Sequence, residues 1–241
     1  MSIKKRSSRS NMYNFVDSRW NPVRGKCGFC CKYCYTRRWG KQRPIHLDEK
    51  ELRVDLGSGN FIFVCSGCDL FDPAVPDEWI DRVSYHARQF QDNQYLFHTK
   101  NPARILDLTH RGYSWPDESV VCVTVESNIP WPGISEAPQP YDRIESLKRI
   151  GFKKMITIEP VMDFDVMTFA EMIISCKPIQ VNIGADSSGN HLPEPTPEKL
   201  EQLIDYLTVI RADVFSPAKI HLKKNLRRLL PEHRLYGGEN G

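Results

Sequence analysis

Long apolar runs are missing from this 241-residue sequence: stretches such as Phe61 to Cys65 fall far short of the roughly 20 residues that a membrane span needs. The opening segment MSIKKRSSRS has no apolar stretch behind its charges, so it does not read as a secretory signal. A soluble, cytoplasmic chain with no membrane partner is expected. No Gly/Ser-rich linker divides the sequence, and α/β barrels often fill about 200 to 250 residues as one domain. The expected layout is a basic tail over residues 1–12, a single domain over residues 13–230 and a short tail over residues 231–241. There is no phosphate-binding glycine loop, nucleophile elbow or zinc-protease motif, which excludes the chemistries those motifs serve. Charge of one sign is not in large excess either. With 33 Lys and Arg against 30 Asp and Glu, the net charge of +3 is too mild to identify a nucleic-acid binder by itself.

What is present is ordinary globular composition, 40% hydrophobic and 26% charged, together with two local concentrations. Basic residues crowd three places: Lys4, Lys5, Arg6 and Arg9; Arg37, Arg38, Lys41 and Arg43; and Lys219, Lys223, Lys224, Arg227 and Arg228. They make either a converging basic face or merely solvated surfaces. Of eight cysteines, Cys27, Cys30, Cys31 and Cys34 fall within eight residues. A disulfide framework would scatter its cysteines through a small secreted chain, so metal binding explains this crowding better.

Runs of β-branched and aromatic residues predict strands at Asn14 to Val16, Phe61 to Cys65, Gln94 to His98, Val120 to Val125, Lys154 to Ile158, Gln180 to Ile183 and Lys219 to Leu222. Between them, amphipathic spacing predicts helices at Pro76 to Phe90, Tyr141 to Ile150, around Phe169 to Ile174 and at Pro197 to Ile210. This alternation implies an α/β fold, a full or partial (β/α) barrel of about six to seven parallel strands. Nearly every predicted strand runs into polar residues: Ser66 and Asp69, Thr99 and Lys100, Glu126 to Asn128, Glu159, Asp186 to Ser188 and Lys223 to Asn225. In parallel α/β folds the carboxyl strand ends form the active-site rim, although any one of these residues can instead cap the next helix.

In KCGFCCKYCY, Cys27, Cys31 and Cys34 stand in Cys-x3-Cys-x2-Cys spacing, with Tyr33 directly before the last cysteine. Three soft thiolates on a short loop suit three irons of a cubane cluster and leave the fourth open. The spacing and the aromatic resemble the signature of the radical S-adenosylmethionine (SAM) superfamily. The stretches WNPVRGKC, LFDPAVPDEWIDRV, LFHTKNPARI, VTVESN, ITIEPVMDF and NIGADSSG resemble strand-end motifs of a phage-associated, radical-SAM-like family of largely unknown function.

The resemblance implies a 4Fe-4S cluster on Cys27, Cys31 and Cys34 that reductively cleaves SAM to methionine and a 5′-deoxyadenosyl radical, which abstracts hydrogen from a substrate. It implies a partner electron donor such as flavodoxin or ferredoxin. It also assigns Ser66, Gly67 and Asp69 to the SAM amino group, Thr124, Glu126 and Ser127 to its ribose or carboxylate, and Glu159 and Asp186 to the ribose or substrate. Lys100 is a candidate for the SAM carboxylate. Gly184 and Gly189 allow either close approach to a ligand or a turn.

Cys65 and Cys68 form a second Cys-x2-Cys, so a zinc-ribbon-like, non-catalytic nucleic-acid-binding protein is the alternative. In the enzyme reading Cys65 is a core residue. Cys68 is then either a rim thiol that donates hydrogen to a substrate radical or a small buried hydrophobe. Cys122 and Cys176 are expected in the core, and Trp20, Tyr35 and Trp39 are expected to shield the cluster from water, with stacking on a nucleobase as the alternative. The basic clusters and nearby aromatics favour a nucleotide or nucleic-acid base as substrate, with a peptide or small metabolite as the alternative.

Overall fold

The computed structural model describes residues 2–5, 13–212, 218–231 and 233. Arg6, Arg9 and nearly all of the expected C-terminal tail lie outside the described residues. The strands are β1 (Lys4–Lys5), β2 (Ser18–Trp20), β3 (Val23–Arg24), β4 (His46–Leu47), β5 (Phe61–Val64), β6 (Gln94–Thr99), β7 (Ser119–Thr124), β8 (Lys153–Ile158), β9 (Gln180–Ile183) and β10 (Lys219–Leu222). The helices are α1 (Asp77–Arg88), α2 (Pro102–His110), α3 (Pro140–Arg149), α4 (Val166–Ser175) and α5 (Pro197–Ala212). The main sheet has the order β1-β2-β5-β6-β7-β8-β9-β10. The seven strands from β2 onward are parallel and alternate with helices, as the sequence predicts.

By contacts the chain divides into two units, residues 1–30 with 34–122, and residues 31–33 with 123–241. In the first unit β2 pairs in parallel with β5 in the register Ser18↔Ile62 to Trp20↔Val64, and β5 with β6. Between β2 and β5, a short antiparallel pair, β3 with β4, brackets the cysteine segment. Ile80, Val83 and Ala87 form the buried face of α1. Asp77 and Glu78 in its first turn and His86 and Arg88 in its last complement the helix dipole. In the second unit β8, β9 and β10 are parallel neighbours. All four residues of β9 are buried, as expected of a strand covered on both faces. The Asp165 carboxylate caps α4 by accepting from Thr168 N at 2.9 Å.

Two differences from the sequence reading have local causes. The first strand lies at Ser18–Trp20 rather than at Asn14 to Val16. Tyr13 and Phe15 stack on each other at 4.9 Å and contact Phe63 and Phe61 respectively, so their apolar character builds an aromatic cluster and not a ladder. No helix is predicted at α2, whose nine residues bury Pro102, Ile105 and Leu108 at helical spacing but fall short of the roughly 10 to 12 residues over which a helical period is told from a short apolar run.

Candidate functional site

Because β2, β5 and β6 in the first unit, and β8, β9 and β10 in the second, are parallel, their carboxyl ends lie along one edge of that unit's sheet. In the first unit this edge carries the segment from Cys65 to Asp72. Cys65 leaves β5 with a left-handed backbone, φ 55°, and its amide donates to Trp20 O at 2.7 Å. Burial, with lesser effects from Asp69 and Glu51, pushes the Cys65 thiol up to about 12. Asp69 accepts from Thr99 Oγ1 at 2.8 Å, Lys100 N at 2.8 Å and Phe71 N at 2.9 Å. Burial nevertheless raises its carboxyl above the ordinary value. In this geometry Asp69 ties the loop after β5 to the loop after β6. Ser66 donates to Asn21 Oδ1 at 3.0 Å.

The half-buried Cys27 points its Sγ at Asp72 Oδ2, 3.2 Å away, and Gly28 N donates to the same oxygen. Cys34 Sγ lies 3.0 Å from Thr36 Oγ1. Cys68 is buried, its thiol 3.7 Å from Asp69 O and held well above the ordinary value, first by burial and then by Cys65 and Asp69. Cys30 is exposed, with φ 48°.

The second unit holds the rest of the cysteine segment. Cys31 Sγ lies 3.1 Å from Ser135 Oγ, and Lys32 N donates to Ile134 O at 2.9 Å. The Tyr33 hydroxyl donates to Glu126 Oε1, just beyond β7. Burial and then Glu126 drive the Tyr33 hydroxyl far above its ordinary value, so it stays a donor. The other oxygen of Glu126 is 2.9 Å from Arg143 Nη1, and both side chains are at most 4% exposed. Arg143 also donates to Thr124 O at 3.0 Å and to Pro138 O. Ser127 donates to Asp163 O at 2.6 Å.

Farther along the same edge, Glu159 accepts from Lys223 Nζ at 2.6 Å and Asn225 Nδ2 at 3.1 Å. A Cβ on Gly184 would lie 3.0 Å from both Glu159 and Asn225, so this glycine serves close approach between protein groups. Gly189, with φ 63°, sits in a turn, where Asp186 accepts from Ser188 N and Asn190 Nδ2.

Cys65, Cys122 and Cys176 are buried as expected. Of the three expected shields, only Trp20 is buried, with its ring against His86 and its Nε1 bonded to Glu51 O at 2.9 Å. Tyr35 and Trp39 stand on the surface. Asp72, Ser135 and Arg143 belong to the site and were not among the residues singled out from the sequence. Asp72 lies in the quoted stretch LFDPAV, but nothing local marks the other two.

All eight cysteines are free thiols. As the side chains stand, no three His, Cys, Asp or Glu among the described residues converge tightly enough to hold a metal ion. The three thiols instead pair separately with Asp72, Ser135 and Thr36. By its chemistry the donor set fits an iron-sulfur cluster: three reduced thiols within eight residues, with the off-spacing Cys30 turned to solvent.

A parallel α/β chain with ionisable strand ends and a three-thiol loop after its first parallel strand defines the class, and solved structures share the fold. A tyrosine-to-phenylalanine variant of spore photoproduct lyase, a radical SAM enzyme, matches with a TM-score of 0.54 at 11% identity, over 83% of this chain and 63% of that one. Spore photoproduct lyase complexed with dinucleoside spore photoproduct matches with a TM-score of 0.52 at 11% identity, over 85% of this chain and 63% of that one. The chain thus spans under two thirds of these structures. The likeness is one of fold. The chain belongs to the family described as Protein of unknown function (DUF5131), which it matches over residues 10–205. No curated protein sequence matches it. Among the described residues, no helix is long and apolar enough to cross a membrane.

Proposed function

We propose that this chain is a radical SAM enzyme that acts on a nucleotide or a nucleic-acid base. The observation that carries the reading is the Cys27, Cys31 and Cys34 loop, all free thiols, following the first parallel strand of a fold shared with spore photoproduct lyase. When bound, the cluster and SAM supply a 5′-deoxyadenosyl radical, fed by flavodoxin or ferredoxin. The chain's own residues bind and orient. Ser66, Gly67 and Asp69 offer oxygen acceptors to the SAM amino group, and Lys100 offers a cation to its carboxylate. Thr124, Glu126 and Ser127 lie along the next strand end, and Glu159 and Asp186 offer carboxylates to ribose hydroxyls. Tyr33, Glu126 and Arg143 fix one flank of the cysteine loop. Cys68 would give the hydrogen atom of its thiol to a substrate radical, and the thiyl left behind would return to the thiol by taking one electron from the electron donor and one proton from solvent. A nucleic-acid substrate is supported by the basic clusters and by the dinucleoside bound to spore photoproduct lyase.

Anaerobic reconstitution with iron and sulfide tests the reading. The expected result is broad visible absorption and about four irons per chain, lost when Cys27, Cys31 and Cys34 all become Ala. The reduced protein should then convert SAM to methionine and 5′-deoxyadenosine. Tight zinc uptake without iron would replace the enzyme with the zinc-ribbon alternative.

A further inference from the structure

The segment that follows the last cluster cysteine presents a surface that the assignments above leave unused. Residues 18–47 contain eight Lys and Arg and no Asp or Glu, the most one-sided stretch of charge in the cysteine region. Within it a short 3-10 turn, Tyr35–Trp39, exposes Trp39 by 62% and Tyr35 by 50% while burying Thr36. Tyr85 and Tyr141 are as open elsewhere, so what sets Tyr35 and Trp39 apart is that the two rings lie together, beside clustered cations.

These rings are not loose. The Tyr35 hydroxyl donates to Ser66 O, and the two rings meet edge to face at 5.4 Å. The Trp39 indole lies against Gly67: a Cβ there would stand 3.2 Å from two of its ring carbons. Gln42 Nε2 braces the turn by donating to Thr36 O at 2.8 Å. Arg37, Arg38, Lys41 and Arg43 flank the rings along the chain and are all exposed. A braced, half-open aromatic pair in a segment of exposed cations has the two elements by which an unpaired nucleic-acid strand is held: ring faces for bases and positive charge for phosphates.

We propose that the Tyr35–Trp39 turn is a docking site for single-stranded nucleic acid, with a base stacked on Trp39 and the flanking phosphates on Arg37 and Arg38. This deepens the nucleic-acid reading above and rests on it. The turn begins one residue after Cys34, so a strand held there lies next along the chain to the cluster cysteines. A patch that served charge alone would need the arginines but not the braced rings, and this favours nucleic acid over an acidic protein.

The test measures fluorescence anisotropy of a labelled oligothymidylate of about 12 nucleotides against the reconstituted full chain at two salt concentrations. W39A should weaken binding roughly tenfold, whereas W39F should retain most of it. R37Q/R38Q should lower the slope of log affinity against log salt by about 1.4, at about 0.7 per phosphate contact on a single strand. An abasic oligomer of equal length should bind more weakly and lose nothing further with W39A. Equal binding of both oligomers by the wild type, or an unchanged affinity in W39A, overturns the proposal. So does slower cluster reduction by flavodoxin in R37Q/R38Q with strand binding intact, which would assign the patch to the electron donor. Circular dichroism of W39A and W39F separates a lost contact from a lost fold. Because binding is read without SAM turnover, its failure leaves iron uptake and SAM cleavage as separate tests of the enzyme reading.

Discussion

Each unit of the chain has an arginine that staples the loop beyond a strand, and the two differ in how deeply they sit. Arg104, in the first unit, donates to Asp72 O, Val75 O and, at 2.6 Å, to Asp77 Oδ1. Arg143, in the second, donates to Pro138 O, Thr124 O and, at 2.9 Å, to Glu126 Oε2. The carboxylate beside Arg104 is 31% exposed, whereas the Arg143 pair is exposed by only 3% and 4%. The same set of bonds therefore has a different weight. Water can take over the first pair when it breaks, but a lone Glu126 has no such substitute. The buried staple also reaches the cysteine segment, because Glu126 accepts from Tyr33 with its other oxygen. The exposed one holds the main chain at Asp72, whose side chain faces Cys27.

The sharpest way to break this contrast is R143M. It should destabilise the chain by about 3–5 kcal/mol in urea unfolding, since it leaves a buried carboxylate unpaired, and R143K should restore only part of the loss. If R143M costs no more than a surface pair, burial is not what separates the staples. Next in size is D69A, which removes the acceptor of the Lys100 and Phe71 amides. A loss of roughly 1–3 kcal/mol is expected, with D69N milder because it keeps an oxygen.

The smallest effect belongs to the exposed staple. Hydrogen bonds from Arg104, and then from Arg111, hold the Asp77 carboxyl below its ordinary 3.8. A lowered folded-state value means that this stabilisation is present above 3.8 and disappears as pH falls through the lowered value. D77N should therefore cost under about 1 kcal/mol near neutral pH, and the gap from wild type should close in acid. A gap that widens in acid would reverse the assignment.

Much of the candidate site is legible in the sequence because its parts are local. The cysteine spacing is confined to eight residues, and Glu126, Glu159 and Asp186 stand within three residues of the ends of β7, β8 and β9. Arg143 was hidden because its function depends on a carboxylate 17 residues away and its own neighbours in α3 make an ordinary amphipathic pattern. Ser135 lies 104 residues from Cys31, and no spacing rule links them. The fates of Trp20 and Trp39 were equally hidden: both looked like shields, yet one is buried beneath α1 residue His86 and the other stands on the surface.

The sequence by itself determined the α/β alternation, the ionisable residues after the strands and the three-thiol loop, because hydrophobic period and ligand spacing are short-range properties of the chain. Only the tertiary structure decided which carboxylates are tied up and by what. Asp69 went to backbone amides and a hydroxyl, Glu126 to a buried arginine and Glu159 to Lys223. It also decided which aromatics face water. The physical reason is that burial and hydrogen-bond partnership arise from groups distant in the chain, so a residue's chemical type is written locally and its surroundings are not.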